Sequence, residues 1–173
     1  MESKPAEKKW KAYFGEITEK NVENLRAINL ACLPVRYQDS FYHKAIGYSN
    51  YSKFGKRKKK RKGKEIAYFN DIIVGGICAR DEVKSNGEKT VYILTIGVFE
   101  PYRRMGIGSQ LIEEMERLVK ERGIAKSIYL HVQSSNEAAI EFYKKHGYAI
   151  IEKLENYYKD IDPPHCFVVE KKI

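Results

Sequence analysis

The sequence predicts a single domain of the α/β (α+β) class, a mixed sheet with helices on both faces. Three observations carry that prediction. Seven short strand-like segments alternate with helix-like ones along 173 residues. A long apolar run, Val91 to Val98, is followed by a glycine-bearing turn and then by an amphipathic stretch, Ile107 to Arg122. The hydrophobic share of 43%, with 13 Tyr, is enough to bury a core at this length without staples.

Residues 1–9 are polar and are expected to be a disordered tail, leaving residues 10–173 as the domain. Trp10 to Ile17 alternates and reads as a first, edge-like strand. Thr18 has the chemistry of an N-cap for a helix with Val22, Leu25, Ile28, Asn29 and Cys32 or Leu33 on one side, and Pro34 ends it. Asp39 and Ser40 cap a short helix to about Ile46. Glu65 to Phe69, Asn70-Asp71 and Ile72 to Arg80 read as a hairpin. Asp81 to Lys89, with Asn86-Gly87, reads as a loop, and Thr90 to Val98 as a central strand in which Gly97 marks a bulge or a close backbone approach. The helix at Ile107 to Arg122 sets Leu111, Ile112, Met115 and Val119 against Glu113, Glu114, Glu116 and Arg117, and Gly123 stops it. Ser127 to Gln133 is a strand, Asn136 to His146 a helix closed by Gly147, and Tyr148 to Glu152 and His165 to Glu170 are the last strands.

The formal charge of +9 has one source. Nine Lys/Arg and no acid lie between Lys53 and Lys64, and the rest of the chain balances 23 basic with 23 acidic residues. The run, within an insertion at about residues 50–64, is expected to be a mobile loop, because like charges repel and bury no apolar area. It is either a solvated loop or a contact for RNA, a nuclear importer or a membrane surface. A uniformly basic nucleic-acid-binding fold is not indicated. Cys32, Cys78 and Cys166 are far apart and form no Cys-x-x-Cys pair, and the four His are scattered, so no disulfide framework and no metal are expected. There is no run of 18 apolar residues to insert in a membrane, and the charged N-terminus has no apolar core of a secretory signal. The expected location is the cytoplasm, with the nucleus as a second compartment.

The stretch richest in chemistry is Pro101-Tyr102-Arg103-Arg104-Met105-Gly106-Ile107-Gly108-Ser109. Gly106 and Gly108 let the backbone take positive φ and approach a ligand at a helix start, where free N–H groups and the helix dipole both favour an anion. Arg103 and Arg104 add guanidinium groups that pair with phosphates. A plain tight turn is the alternative. No Gly-Lys-Ser/Thr is present to hold a nucleoside triphosphate, and the spacing is not the three-glycine dinucleotide fingerprint.

This Arg-x-x-Gly-x-Gly loop, in its strand–turn–helix setting, resembles the acyl-coenzyme A loop of the GNAT acetyltransferases. With Leu33-Pro34-Val35-Arg36-Tyr37, Ala67-Tyr68-Phe69-Asn70-Asp71, Tyr129-Leu130-His131-Val132-Gln133 and Asn156-Tyr157-Tyr158-Lys159, it is similar to their N-alpha-acetyltransferase branch of the NatE type, from about Ile17 to Val169. The resemblance implies the GNAT fold, a mostly antiparallel seven-stranded sheet whose central strands splay apart beside the loop. It implies acetyl-CoA as acetyl donor and the α-amine of a protein beginning with Met and a hydrophobic residue as acceptor. Partners implied are N-terminal peptides, a NatA-type complex and the ribosome.

Residue roles follow the same resemblance. Period-two alternation places Tyr129, His131 and Gln133 on one side of their strand, and Tyr92 and Leu94 on one side of theirs. His131 there is either a satisfied core group or, as the resemblance implies, works together with Tyr92 through an ordered water as the base. Acetyl transfer to an amine needs such a base, donors for the developing oxyanion and an acid for the leaving thiolate. Tyr143 is the implied acid and Asn136 a hydrogen-bonding partner of the pantetheine arm; packing and helix capping are their plain alternatives. Ile96, Val98, Arg103, Arg104, Gly106, Gly108 and Ser109 complete the implied cofactor site. Leu33, Pro34, Val35, Tyr37, Leu94, Tyr157, Tyr158 and Ile161 form the implied acceptor slot. Leu33 and Leu94 stand where Phe and Met are expected in animal members, which changes the shape of that slot. Other readings are a GNAT acting on lysine side chains or small amines, and a non-catalytic adaptor subunit.

Overall fold

Seven strands form one sheet in the order β1-β2-β3-β4-β5-β7-β6 in the computed structural model, which describes residues 12–47, 53–57 and 72–173. The strands are β1 (Ala12–Glu16), β2 (Lys53–Arg57), β3 (Ile72–Val83), β4 (Lys89–Val98), β5 (Ser127–Gln133), β6 (Ala149–Leu154) and β7 (Cys166–Lys172). The helices are α1 (Val22–Cys32), α2 (Asp39–Gly47), α3 (Ile107–Arg122) and α4 (Glu137–Lys145), with a 3-10 turn at Glu100–Tyr102. Every neighbouring pair is antiparallel except β4 with β5, which is parallel.

Two cores cover the two faces. Leu111, Ile112, Met115 and Val119 of α3, with Ile140 and Tyr143 of α4, pack on Val91, Ile93, Ile128 and Leu130. On the other face Leu25 and Ile28 of α1 and Tyr42 and Ala45 of α2 pack with Ile17 and Cys78. α3 forms because its apolar residues recur at helical spacing and Gly123, at φ 62°, closes it with an N–H bond to the Val119 carbonyl. Glu116, expected on the solvent face, is instead buried, and Lys171 of β7 reaches it at 2.7 Å.

The structure corrects three boundaries. Thr18 is not the cap of α1: its carbonyl accepts the N–H groups of Asn21 and Val22, and Asn21 Oδ1 accepts the Thr18 N–H at 2.7 Å, so a hydrogen-bonded turn precedes the helix. The expected loop from Asp81 is strand as far as Val83, and the turn tightens around Gly87 at φ 81°. The strand paired to β3 is Lys53–Arg57, the beginning of the basic run expected to be a mobile loop. Its backbone is laddered on both sides, to β1 and to β3, and those hydrogen bonds form regardless of side-chain charge. The strand expected at Glu65 to Phe69, the rest of the basic run and the tail at residues 1–9 lie outside the described residues.

β4 holds the feature that organises the site. Cys78 pairs with Thr95 and Ala79 with Ile93, so Leu94 is an extra residue without a partner on β3. The bulge exchanges the faces of the strand. Val91 and Ile93 point to the α3 side before it, and Ile96 and Val98 do so after it, whereas Leu94 joins the α1 core. Gly97 then faces α1 so closely that a Cβ would lie 2.8 Å from Ile28 Cγ2 and 3.0 Å from Cys32 Cβ. Gly97 is therefore a close approach, and the bulge is at Leu94.

Glu170 of β7 ties the far end of the sheet. Burial alone would lift its carboxyl, but hydrogen bonds from Lys84 and Ser127 and the charges of Lys84 and Lys172 outweigh that and hold it below the usual range. Its stabilising contribution is complete above the unfolded carboxylate value of about 4.3 and disappears as pH falls through the lower folded value. Thermal unfolding of Glu170→Gln should accordingly show a shallower loss of Tm between roughly pH 5 and 3 than the parent chain. Gly97→Ala should lower stability by about 1–3 kcal/mol, seen as a shifted urea midpoint with an unchanged slope.

Candidate active site

β4 and β5 pair only at Thr90 with Ser127, Val91 with Ile128 and Tyr92 with Tyr129. Beyond Tyr92 the strands part, as expected for splayed central strands, and a cavity of about 310 Å³ opens between them. Thr90 Oγ1, donating to the Ser127 carbonyl at 2.8 Å, secures the closed end. The cavity follows β4 from near Tyr92 to Val98, about 20 Å at the rise of a strand.

At its Val98 end, Arg103 lines the cavity and its Nε donates to the Val98 carbonyl at 2.9 Å. Arg104 and Gly106 turn the chain through the left-handed region, at φ 62° and 75°, and Gly106 is the N-cap of α3. The cap has no side-chain hydrogen bond, and the helical ladder begins with Gln110 N–H on the Gly106 carbonyl. The amides of Ile107, Gly108 and Ser109 precede that ladder and stand at the positive end of a sixteen-residue helix. This start fits a diphosphate. A Cβ on Gly108 would meet the Phe142 ring at 3.5 Å, an ordinary contact, so packing alone does not demand glycine there. Ser109 Oγ lies 3.0 Å from His146 Nε2, which links the loop to the end of α4. Arg104, Gly106, Gly108 and Ser109 surround the helix start without lining the cavity between the strands.

Ile96 and Val98 form one wall of the cavity, and Asn136 and Tyr143 of α4 another. Asn136 caps α4, its Oδ1 accepting the Ala139 N–H at 3.1 Å, and among the described residues its amide nitrogen has no acceptor. Tyr143 is 5% exposed, and burial pushes its phenol up, so it keeps its proton across the physiological range.

The opposite end carries the expected acceptor residues. Leu33, Pro34, Val35, Tyr37 and Leu94 line it from one side, and Tyr158 and Ile161 from the other. The α1–α2 segment is fixed by Tyr37, whose hydroxyl donates to the Leu94 carbonyl at 3.5 Å and whose ring packs on Phe41 at 4.4 Å. Burial pushes the Tyr37 phenol up to about 12. The loop between β6 and β7 is held by Tyr158 N–H on the Pro164 carbonyl, at 2.8 Å, and by Gln133 Nε2 on the Pro163 carbonyl, at 3.0 Å.

Between these ends stands His131, lining the cavity. Its Nδ1 is 3.0 Å from the Tyr92 hydroxyl, and its ring stacks on Tyr157 with centroids 4.5 Å apart and planes 12° from parallel. Tyr92 and Tyr157 thus sit behind and beside the imidazole rather than on the cavity wall. Burial lowers the His131 pKa, partly offset by the charges of Glu82 and Glu152, and this keeps the ring neutral at pH 7. Burial, with the neighbouring Tyr157 next, raises the Tyr92 phenol, which stays protonated.

Sequence reasoning missed several members. Cys32 and Thr95 line the cavity, and Thr95 Oγ1 is buried with no hydrogen-bond partner among the described residues. Neither residue carries a recognisable motif. Arg80 and Glu82 approach Tyr92 and Tyr129, and Glu82 was hidden because its stretch reads as loop. The longer β3 places it there.

Chemically, the site combines a helix start suited to an anion, a channel lined by both polar and apolar side chains, and a neutral imidazole hydrogen-bonded to a phenol. Residues 22–148 match the model of the acetyltransferase (GNAT) family. N-alpha-acetyltransferase 50 of Danio rerio is 39% identical over 160 residues, covering 92% of this chain and 88% of that protein. The probable N-acetyltransferase san of Drosophila melanogaster is 37% identical, covering 92% of this chain and 80% of that protein. Among solved structures, Arabidopsis thaliana Naa50 in complex with the bisubstrate analogue CoA-Ac-MVNAL superimposes with a TM-score of 0.78 at 39% identity, over 94% of this chain and 99% of that one. By motif, fold and relatedness along nearly its whole length, the chain belongs to the GNAT acetyltransferase family.

Proposed function

We propose that the chain is an acetyl-CoA-dependent N-terminal acetyltransferase that acts on the α-amine of proteins beginning with Met followed by a hydrophobic residue. One observation carries the reading: a single channel runs from Arg103, next to the uncapped, left-handed-entry helix start, to His131, which Tyr92 backs. The relatives named as N-acetyltransferases support it, as does the Met-Val start of the peptide in the Arabidopsis Naa50 complex.

When bound, acetyl-CoA supplies an acetyl group activated as a thioester. Arg103, Arg104 and the backbone of Gly106, Gly108 and Ser109 hold its diphosphate, and Ile96, Val98 and the Asn136 amide line its arm. Leu33, Pro34, Val35 and Leu94 receive the apolar first side chains of the acceptor, the hydroxyls of Tyr37 and Tyr158 hold its backbone, and Tyr157, stacked on His131, borders the slot. His131, kept neutral by burial, takes the proton of the terminal ammonium. That group titrates near about 7.7–8.0, so a modest base suffices at neutral pH. In the base form Nδ1–H donates to the Tyr92 hydroxyl oxygen, which leaves the Nε2 lone pair to accept the proton. Tyr143 retains a proton beside the channel and can donate it to the departing thiolate. Leu33 and Leu94, shorter or differently branched than Phe and Met, set the width at the acceptor's second residue.

The partner reading is narrower. The basic run from Lys53 to Lys64 is proposed to contact RNA at the ribosome, supported by its holding the entire charge excess. Association with a NatA-type complex is proposed on the resemblance alone.

Peptides beginning Met-Leu with a free α-amine should be acetylated, and the same peptides blocked at the amine but containing lysine should not; the reverse pattern would assign a side-chain acetyltransferase. His131→Ala should reduce kcat/KM by about 10²-fold or more and Tyr92→Phe by about tenfold, with affinity for acetyl-CoA by calorimetry unchanged. In the parent, kcat/KM should rise with pH through the range of the acceptor amine. The His131 limb should lie below about 6.5, because burial favours the neutral ring.

A further inference from the structure

We propose that Glu82 is a positioning residue for the reaction: it anchors Tyr129 against Tyr92, and its carboxylate charge stabilises the imidazolium that His131 becomes when it takes the acceptor's proton. This rests on the reading of His131 as the base. Arg80, Tyr92 and Tyr129 occupy one row across β3, β4 and β5, since Arg80 pairs with Tyr92 and Tyr92 with Tyr129. That row is the last before β4 and β5 part. Glu82, two residues along β3 and opposite Thr90, reaches back into it.

Both carboxylate oxygens are engaged. Arg80 Nη2 donates to Oε1 at 2.7 Å, and the Tyr129 hydroxyl donates to Oε2. The Tyr129 ring stacks on Tyr92 with centroids 4.9 Å apart at 26°, and the Arg80 guanidinium lies 5.6 Å over the Tyr92 ring. Tyr92 is thus clamped between two groups that Glu82 holds, and the Tyr92 hydroxyl in turn holds His131. Burial opposes ionisation of Glu82, but the hydrogen bonds from Tyr129 and Arg80 and the Arg80 charge prevail, so it is a carboxylate at neutral pH.

Among the described residues, these charges and titrating groups border the imidazole. Glu82 of β3 is the foremost charge favouring its protonated form, with Glu152 of β6 second. Tyr92 of β4, Tyr129 of β5 and Tyr157 of the β6–β7 loop border the ring. Arg80 of β3 bears on Tyr92, Tyr37 from the α1–α2 segment couples to Tyr92, and Lys84 lies 5.9 Å over the Tyr129 ring. A purely structural Glu82–Arg80 pair would affect unfolding but leave the titration of His131 where it is.

Two variants separate charge from contact. Glu82→Gln keeps an acceptor for Tyr129 and removes the charge, whereas Tyr129→Phe keeps the stacked ring and removes the hydrogen bond. In the full-length chain, the NMR titration of the His131 ring should move down by about half a unit in Glu82→Gln, and kcat should fall about fivefold with KM for acetyl-CoA unchanged. Tyr129→Phe should also lower kcat, and the double variant should be little worse than the more damaged single one. Unchanged His131 titration and kcat in Glu82→Gln would overturn the inference. Glu82→Asp, which retains the charge, should titrate as the parent does; the same downward move there would also overturn it. Full activity in His131→Ala would refute the base reading instead, and the NMR titration, which needs no turnover, keeps the two failures apart.

Discussion

The site depends on the interruption of one parallel strand pair. β4 and β5 hydrogen-bond for three residue pairs and then separate, in the middle of a sheet that is otherwise continuous. Separating two central strands exposes backbone donors and acceptors that would normally be laddered. Such an internal edge is costly unless something occupies it, and an extended ligand with amide groups is a chemically suited occupant. The Leu94 bulge adds a second consequence. By exchanging the faces of β4, it lets one strand send Leu94 toward α1 and Ile96 and Val98 toward the helix that starts at Gly106.

The closed end of the fork is secured accordingly. Thr90 bonds the Ser127 carbonyl, Lys84 and Lys172 meet Glu170, Lys172 meets Glu88, and Tyr129 meets Glu82. Exposed ion pairs contribute little one by one, but these surround a nearly buried Glu170 and bridge β3, β5 and β7 across the point where the ladder stops. They hold the strands together on one side of Tyr92 while the other side stays open. The same row of residues that marks the fork also backs the His131–Tyr92 pair, so the parting of the strands and that hydrogen bond share one support.

Much of this was legible in the sequence because it is local. The apolar run into Val98, the glycine pair, and the period of α3 are written in adjacent residues, and β4 and α3 lie within a few positions of their expected bounds. The alternation of Tyr129, His131 and Gln133 was equally readable. Less legible were features set by distant partners. Glu116 looks like a solvent residue until Lys171 arrives from β7, and Glu82 looks like loop until β3 pairs with the start of β4. Lys53–Arg57 reads as a charged loop because side-chain repulsion is visible in sequence and ladder hydrogen bonds are not.

Neighbouring residues alone encode the parts: a glycine turn ahead of an amphipathic helix, and a histidine and tyrosines at strand spacing. Their convergence on one cavity follows from how distant strands pair. The bulge at Leu94 inserts a residue without changing the apolar pattern, and the parting of β4 from β5 depends on which strand lies beside which. Both are properties of pairing between segments far apart in the chain, and no local propensity encodes them.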